Sequence, residues 1–385
     1  MKILLVTDAW KPQMNGVVRT LLKTVDECRK AGHIVEVIAP SDGFMTFPLP
    51  TYPDIKLALF AKREVERRLV MFGPDAVHIA TEGPLGWAAR ALCLKWGMPF
   101  TTSYHTKFPE YVQARFPFIP RFILTNLAYI FVRSFHNSCG RIMVTTPSMA
   151  AFLKDKGFEN LAVWARGVDL TQFHSGVRFL GGEDVYDGMV RPIFVNVGRV
   201  AVEKNIEAFL ELDLPGSKVV VGDGPGLTSL SKKYAGKAVF VGAKHGSELA
   251  RYYADADVFV FPSKTDTFGL VIIESMATGT PVAGYPVSGP IDIIPGSGAG
   301  VIGEDLRAAS LACLELDRAV VAEHAKNYSW EQVAADFVSL LVPETEPKRR
   351  LRWRRARRAL KLASAPWRVF KKIARRLGRL VKTGR

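Results

Sequence analysis

Cysteine is scarce in this 385-residue chain. The four present, Cys28, Cys93, Cys139 and Cys313, lie far apart and form no C-x-x-C pair. That excludes the dense disulfide framework of a small secreted domain and offers no zinc-site spacing. A reducing cytosol suits this usage. Long apolar runs are missing too. A spanning helix needs about 18 to 20 uncharged apolar residues, and the nearest approach, Phe116 to Phe135, is interrupted by Pro120, Arg121, Asn126 and Arg133. The run Ile3-Leu4-Leu5-Val6 is too short for a signal-peptide core and is soon followed by Asp8, so it reads as a buried strand. Acid is absent from Lys348 to Arg385. That stretch holds 17 of the 52 Lys and Arg, so the other 35 face 37 Asp and Glu, and the net charge of +15 belongs to the tail.

What is present fits two packed domains. The hydrophobic fraction is 48% over a length exceeding one typical core. Apolar runs bounded by turns recur at Ile3 to Thr7, Ile34 to Ala39, Ala76 to Ile79, Phe100 to Ser103 and Arg141 to Thr145. The second half repeats the theme at Ile193 to Val197, Lys218 to Val221, Val239 to Val241, Val258 to Phe261 and Pro281 to Ala283. Helix-length amphipathic stretches such as Val17 to Ala31 and Leu85 to Trp96 separate them. Continuous apolar strands alternating with helices predict an α/β class with parallel sheets covered on both faces, two doubly wound domains in series. The expected division is 1–169, a glycine-containing linker over 170–191, 192–324, a terminal helix over 325–342 packing back on the first domain, and a basic tail over 343–385.

Ligands of open α/β sheets sit beyond the carboxyl ends of the strands, so chemistry should collect there. After the first strand, Asp8 to Val17 brings Asn15-Gly16 to a helix start, where backbone amides can approach a phosphate or merely form a turn. The second domain opens with Gly198-Arg199 followed by Lys204, two cations past a buried strand that could neutralise a diphosphate. In Gly222-Asp223-Gly224-Pro225-Gly226, Pro225 removes an amide donor and no dinucleotide spacing follows, so a structural turn lining the cleft is expected. The segment Pro262 to Pro281 carries most information. A loop with Asp266 leads through Phe268, Gly269 and Leu270 into a helix bearing Glu274, so both carboxylates can face a ligand laid across the helix start. Carboxylates suit sugar or ribose hydroxyls and free amides suit a phosphate. A sugar nucleotide offers both.

These residues resemble the retaining glycosyltransferases of family four, with two Rossmann-like domains in the GT-B arrangement, over roughly Met1 to Val342. The resemblance rests on an E-x-seven-E signature with Asp266 and Glu274 followed by Met276-Ala277-Thr278-Gly279-Thr280-Pro281, on Gly198-Arg199 with Lys204, on Asn15-Gly16, and on His105. It implies that Arg199 and Lys204 hold the donor pyrophosphate, that Glu274 takes the ribose hydroxyls, and that Asp266 with the amides of Phe268, Gly269 and Leu270 meets the transferred sugar. Gly16 would contact phosphate from the other domain, and His105 would lie beside the sugar near the reacting carbon. Asp266 is one methylene shorter than the usual Glu, which alters the contacted hydroxyl or its distance. Asp8 and Glu82 are candidates for an acceptor hydroxyl. Asp255-Ala256-Asp257 resembles the D-x-D of another glycosyltransferase fold but runs straight into a strand, so no metal is expected, and no cofactor beyond a UDP-sugar or GDP-sugar donor.

Past Pro347, Arg352-Trp353-Arg354-Arg355 and Pro366 to Lys372 mix cations with aromatics, and Trp367, Phe370, Ile373 or Ala374, Leu377, and Leu380 or Val381 share one helical face. An apolar stripe edged by cations suits an anionic bilayer, a solvated extension being the plainer alternative and nucleic acid an unfavoured one. The expected partners are a nucleotide-sugar donor, a lipid acceptor and an anionic membrane surface met through Lys348 to Arg385. The expected place is cytoplasmic, peripheral on the inner face of the cell membrane. The whole sequence looks closest to bacterial glycolipid synthases, moving a hexose or uronosyl unit to an acceptor such as diacylglycerol. GDP-mannose-dependent mannosyltransferases come next, and a catalytically silent sugar-nucleotide-binding adaptor stays open as another class. Phe116 to Leu124 could face lipid or the core.

Overall fold

The computed structural model describes residues 1–13, 15–49, 52–105 and 121–344. The basic tail and most of the Phe116 to Leu124 segment lie outside the described residues. Strands are β1 (Lys2–Val6), β2 (Ile34–Ile38), β3 (Thr46–Leu49), β4 (Tyr52–Ala58), β5 (Ala76–Ile79), β6 (Thr101–Tyr104), β7 (Arg141–Val144) and β8 (Leu161–Val163) in the first half. The second half contributes β9 (Ile193–Val197), β10 (Ser217–Val221), β11 (Val239–Gly242), β12 (Val258–Phe261), β13 (Val282–Gly284) and β14 (Gly300–Ile302). They form two all-parallel six-stranded sheets, ordered β2-β1-β5-β6-β7-β8 and β11-β10-β9-β12-β13-β14, with β3 and β4 as a separate antiparallel hairpin. The fold is α/β with two doubly wound Rossmann-like sheets.

The parallel strands are apolar because both faces are covered. Ile3, Leu4, Leu5 and Val6 of β1 and Val258, Phe259 and Val260 of β12 have no exposed surface. Several helices start where the sequence supplies a side-chain cap. Asn15 Oδ1 accepts the Val18 amide at 3.0 Å to open the helix Gly16–Lys30, whose buried Val18, Leu21, Val25 and Cys28 fall on one stripe. That stripe meets the last helix, Trp330–Leu340, which Ser329 caps. Trp330, Val333, Ala334 and Phe337 recur at helical spacing and pack with Ile3, Leu5 and Leu21, while Trp164 Nε1 donates to Val333 O at 3.0 Å. The terminal helix is therefore part of the first domain's core. Each large apolar side chain buried there contributes about 1.5 to 3 kcal/mol.

The chain crosses between domains twice, side by side. Val168 bridges to Ser329 and its amide donates to Tyr328 O at 2.8 Å. The segment 170–191 differs from the loose linker its glycines suggested. Phe173, Val177 and Tyr186 are buried in the second domain's core. Asp255 accepts the amides of Phe179 and Val185 at 2.7 and 3.1 Å. Asp257 takes Arg178, Arg191 and the Ile193 amide at 3.3, 2.8 and 2.7 Å. The D-x-D carboxylates thus staple this strap down.

Candidate active site

In each sheet the winding reverses once, between β1 and β5 in the first and between β9 and β12 in the second, and the crevice beyond such a reversal is where ligands bind. The loops leaving β9 and β12 carry Arg199, Lys204 and Asp266. A 3₁₀ turn over Val202–Lys204 aims Lys204 back across the crevice, where Nζ lies 2.7 and 2.8 Å from the two Asp266 oxygens. Arg199, half exposed, stands 4.0 Å from Glu203 Oε1. The Gly222 to Gly226 turn backs this loop. The Val200 amide donates to Asp223 O, the Gly226 amide donates to Val200 O and the Gly222 amide donates to Gly242 O, each at 2.9 Å. Gly222 has φ 150°, and a Cβ there would lie 1.8 Å from Gly198 O, so only glycine permits the approach. With the Gly222, Gly224 and Gly226 amides bonded internally, the turn serves as structural support.

Phe268 is buried, Gly269 turns the chain at φ 84°, and the helix Leu270–Ala277 begins with amides that have no intrahelical partner. Glu274 sits just over one turn in. Its carboxylate accepts the Tyr253 hydroxyl on Oε2 at 3.2 Å and Arg19 Nη2 on Oε1 at 2.7 Å, and its side chain is 3% exposed. Burial raises its pKa, opposed by Arg19 and Tyr253. A buried carboxylate without such partners would cost several kcal/mol.

The first domain contributes the opposite wall. A Cβ on Gly16 would lie 3.5 Å from Leu270 Cδ1, so the Asn15-Gly16 helix start abuts the start of the signature helix. The Thr145 hydroxyl donates to Thr267 O at 2.9 Å and the Thr267 hydroxyl donates to His105 O at 3.3 Å, tying the signature loop to the end of β6. His105 Nδ1 lies 2.9 Å from Arg166 Nη2. A guanidinium only donates, so Nδ1 accepts and Nε2 carries the ring proton. Burial, then Arg166, His78 and His136, hold the His105 pKa well below its usual range, so the ring is neutral at pH 7. Nε2 is buried with no hydrogen-bond partner among the described residues. Arg166 is itself buried, donating to Trp164 O and Ala165 O and lying 4.7 Å above the Trp164 ring.

Asp8 corrects an expectation. It lies at the β1–β5 reversal, yet its oxygens accept the Leu85 and Gly86 amides at 3.0 and 3.2 Å and the Thr81 hydroxyl at 3.1 Å, capping the helix Pro84–Trp96. It acts as a structural cap, with both oxygens engaged by that helix start and Thr81. Burial pushes its carboxyl up to about 6 against those hydrogen bonds. Glu82 is held 3.0 Å from His136 Nε2. Among the described residues no group of three or more His, Cys, Asp or Glu is placed to hold a metal, and no helix is long and apolar enough to cross a membrane.

The structure brings Lys204 to Asp266 and Gly16 to Leu270, with Glu274 between the domains. The sequence reading missed Arg19, Tyr253, Arg166 and Thr267. Arg19 lies only three residues past Gly16, but nothing local marks its partner.

The model for Glycosyltransferase Family 4 matches residues 14–172 and that for Glycosyl transferases group 1 matches 191–316. A GDP-mannose-dependent alpha-mannosyltransferase of Corynebacterium glutamicum is 29% identical over 88% of both chains. One of Mycobacterium tuberculosis is 31% identical over 76% of this chain and 81% of its own. An alpha-monoglucosyldiacylglycerol synthase of Streptococcus pneumoniae is 28% identical over 74% of this chain and 71% of its own. Among solved structures, the sucrose-phosphate synthase of Thermosynechococcus elongatus superposes with a TM-score of 0.68 at 19% identity, covering 88% of this chain and 98% of that one. Anabaena HepE in complex with UDP-glucose gives 0.64 at 15% identity, covering 88% and 99%. At these identities the structures speak for the GT-B fold alone. Because family models cover both domains and a relative above 30% identity spans most of both chains, the chain is a glycosyltransferase and belongs to glycosyltransferase family 4.

Proposed function

We propose that the chain is a retaining glycosyltransferase that moves a hexose or uronosyl unit from a nucleoside diphosphate sugar to a membrane lipid such as diacylglycerol, without a metal. The observation that carries this reading is the Lys204–Asp266 pair at the β9–β12 reversal, with Asp266 on the loop that leads into the helix start at Leu270 and so to Glu274. Cation, helix-start amides and carboxylate are the groups that a donor's diphosphate and ribose call for. Departure of the nucleoside diphosphate places negative charge on the β-phosphate. Lys204, Arg199 and the amides of Phe268, Gly269 and Leu270 stabilise it, the role a divalent ion would otherwise take. Gly16 adds a close backbone approach from the first domain. Asp266 accepts from a hydroxyl of the transferred sugar. His105, neutral with the proton on Nε2, donates to a sugar oxygen near the reacting carbon. The acceptor oxygen bonds to the anomeric carbon on the face the diphosphate leaves, and its proton passes to the departing phosphate.

The lipid acceptor is supported by the Streptococcus pneumoniae relative, an alpha-monoglucosyldiacylglycerol synthase, and by the 17 cations of Lys348 to Arg385, which suit a peripheral position on an anionic inner leaflet. A second reading, mannosyl transfer from GDP-mannose to another lipid or a polysaccharide, is favoured by the two mannosyltransferase relatives. The test is a screen of UDP- and GDP-sugars with the full-length chain, EDTA and diacylglycerol in anionic liposomes. Glycolipid formed in EDTA supports the lipid reading. Transfer from GDP-mannose to a different acceptor supports the second. Turnover that appears only when a divalent ion is restored overturns the metal-free reading.

A further inference from the structure

Glu274 is nearly sealed, with 3% of its side chain exposed. Two groups cover it. Tyr253, from its own domain, donates to Oε2 at 3.2 Å. Arg19 reaches across from the first turn of the helix Gly16–Lys30 and donates Nη2 to Oε1 at 2.7 Å. Arg19 is 48% exposed, and among the described residues it makes no other ion pair. The two partners thus differ in kind. Tyr253 is fully buried and fixed, whereas Arg19 stands on the cleft side, anchored in the other domain, with solvent beside it. A ribose diol approaching Glu274 from the cleft meets Arg19 first.

We propose that Arg19 gates the donor ribose site: it holds Glu274 while the cleft is empty, and the ribose of a nucleoside diphosphate binds by taking its place. The proposal rests on the reading of Glu274 as the ribose carboxylate. The exchange balances chemically. Ribose hydroxyls donate to the oxygens that Arg19 vacates, and the diphosphate brings new negative charge into the cleft that the freed guanidinium lines, one turn from Gly16. Because the ion pair joins the two domains, its parting removes one of the contacts between them. The closed pair therefore lowers apparent donor affinity by the fraction of molecules in which it is formed.

The test is calorimetric titration of the full chain with UDP and, separately, GDP, for wild type, Arg19→Gln, Arg19→Lys and Glu274→Gln. Removing a competing, part-exposed ion pair should tighten the nucleotide that wild type binds by roughly three- to tenfold in Arg19→Gln. Arg19→Lys, which keeps a weaker contact, should fall between and decides the matter if Arg19→Gln fails to fold. Glu274→Gln should weaken binding. If Glu274→Gln weakens it while the Arg19 variants bind equally well or worse, Arg19 supports the carboxylate and the gate is overturned. Unchanged binding in Glu274→Gln, or no binding of either nucleotide by wild type, overturns the ribose reading beneath it.

Discussion

Replacing Lys204 with Met separates catalysis from folding. The Nζ pairs with both Asp266 oxygens at 2.7 and 2.8 Å, but the side chains are 30% and 22% exposed. A part-exposed pair of this kind is worth about 1 kcal/mol or less. In a domain of this size the thermal midpoint should fall by only about 2 to 4 °C. The rate effect should be far larger. If Lys204 leaves Asp266 for the departing diphosphate, its loss removes a preorganised cation from the developing charge. Losses of single oxyanion-stabilising donors cost about 10²- to 10³-fold in kcat, or about 3 to 4 kcal/mol. The assay is the initial rate of sugar transfer at saturating donor, run beside a thermal melt. Asp266→Asn, which frees Lys204 but removes a sugar contact, gives the comparison. A folded Lys204→Met enzyme turning over within roughly threefold of wild type would refute the assignment.

Three further outcomes follow from the packing. Asp8 ionises near 6 in the folded chain against an ordinary 3.8. The folded state therefore holds the proton through a window in which the unfolded state has lost it, and stability falls as pH rises from about 4 to about 6, by about 3 kcal/mol from this group. Asp8→Asn should remove that dependence, and parallel pH profiles of urea stability for the two proteins would contradict it. Phe337 is 2% exposed with its ring 4.9 Å from that of His78 and 5.0 Å from that of Trp164, so Phe337→Ala should cost about 3 to 5 kcal/mol in urea unfolding of the first domain. A cost below about 1 kcal/mol would mean the terminal helix is not core. Gly222→Ala drives a methyl group against Gly198 O and should weaken nucleotide binding by displacing the Arg199 loop. Unchanged affinity would free that turn from its supporting role.

The sheets were legible because they are buried on both faces. Every strand read from a continuous apolar run is present within about a residue at either end, as expected of strands whose pattern is dictated by burial. The strands that escaped have weaker signals. In β3 and β4, Pro48 and Pro53 break the run, and β8 and β14 are three residues long. In 170–191 the glycines outweighed Phe173, Val177 and Tyr186, the residues that dock the strap. The site was legible where one loop holds several groups, as with Asp266 to Glu274. It was not legible where partners meet across the cleft. Arg19 and Glu274 are 255 residues apart, and Arg166 and His105 are 61 apart. Asp8 misled because a carboxylate after a strand looks the same in sequence whether it caps a neighbouring helix or faces a ligand.

The most direct measurement is a crystal structure of the full chain with the nucleoside diphosphate it binds. Phosphates against Arg199, Lys204 and the Leu270 helix start, with ribose on Glu274, are the expected result. A nucleotide seated elsewhere, or phosphates held by the Gly222 to Gly226 turn, would contradict the site.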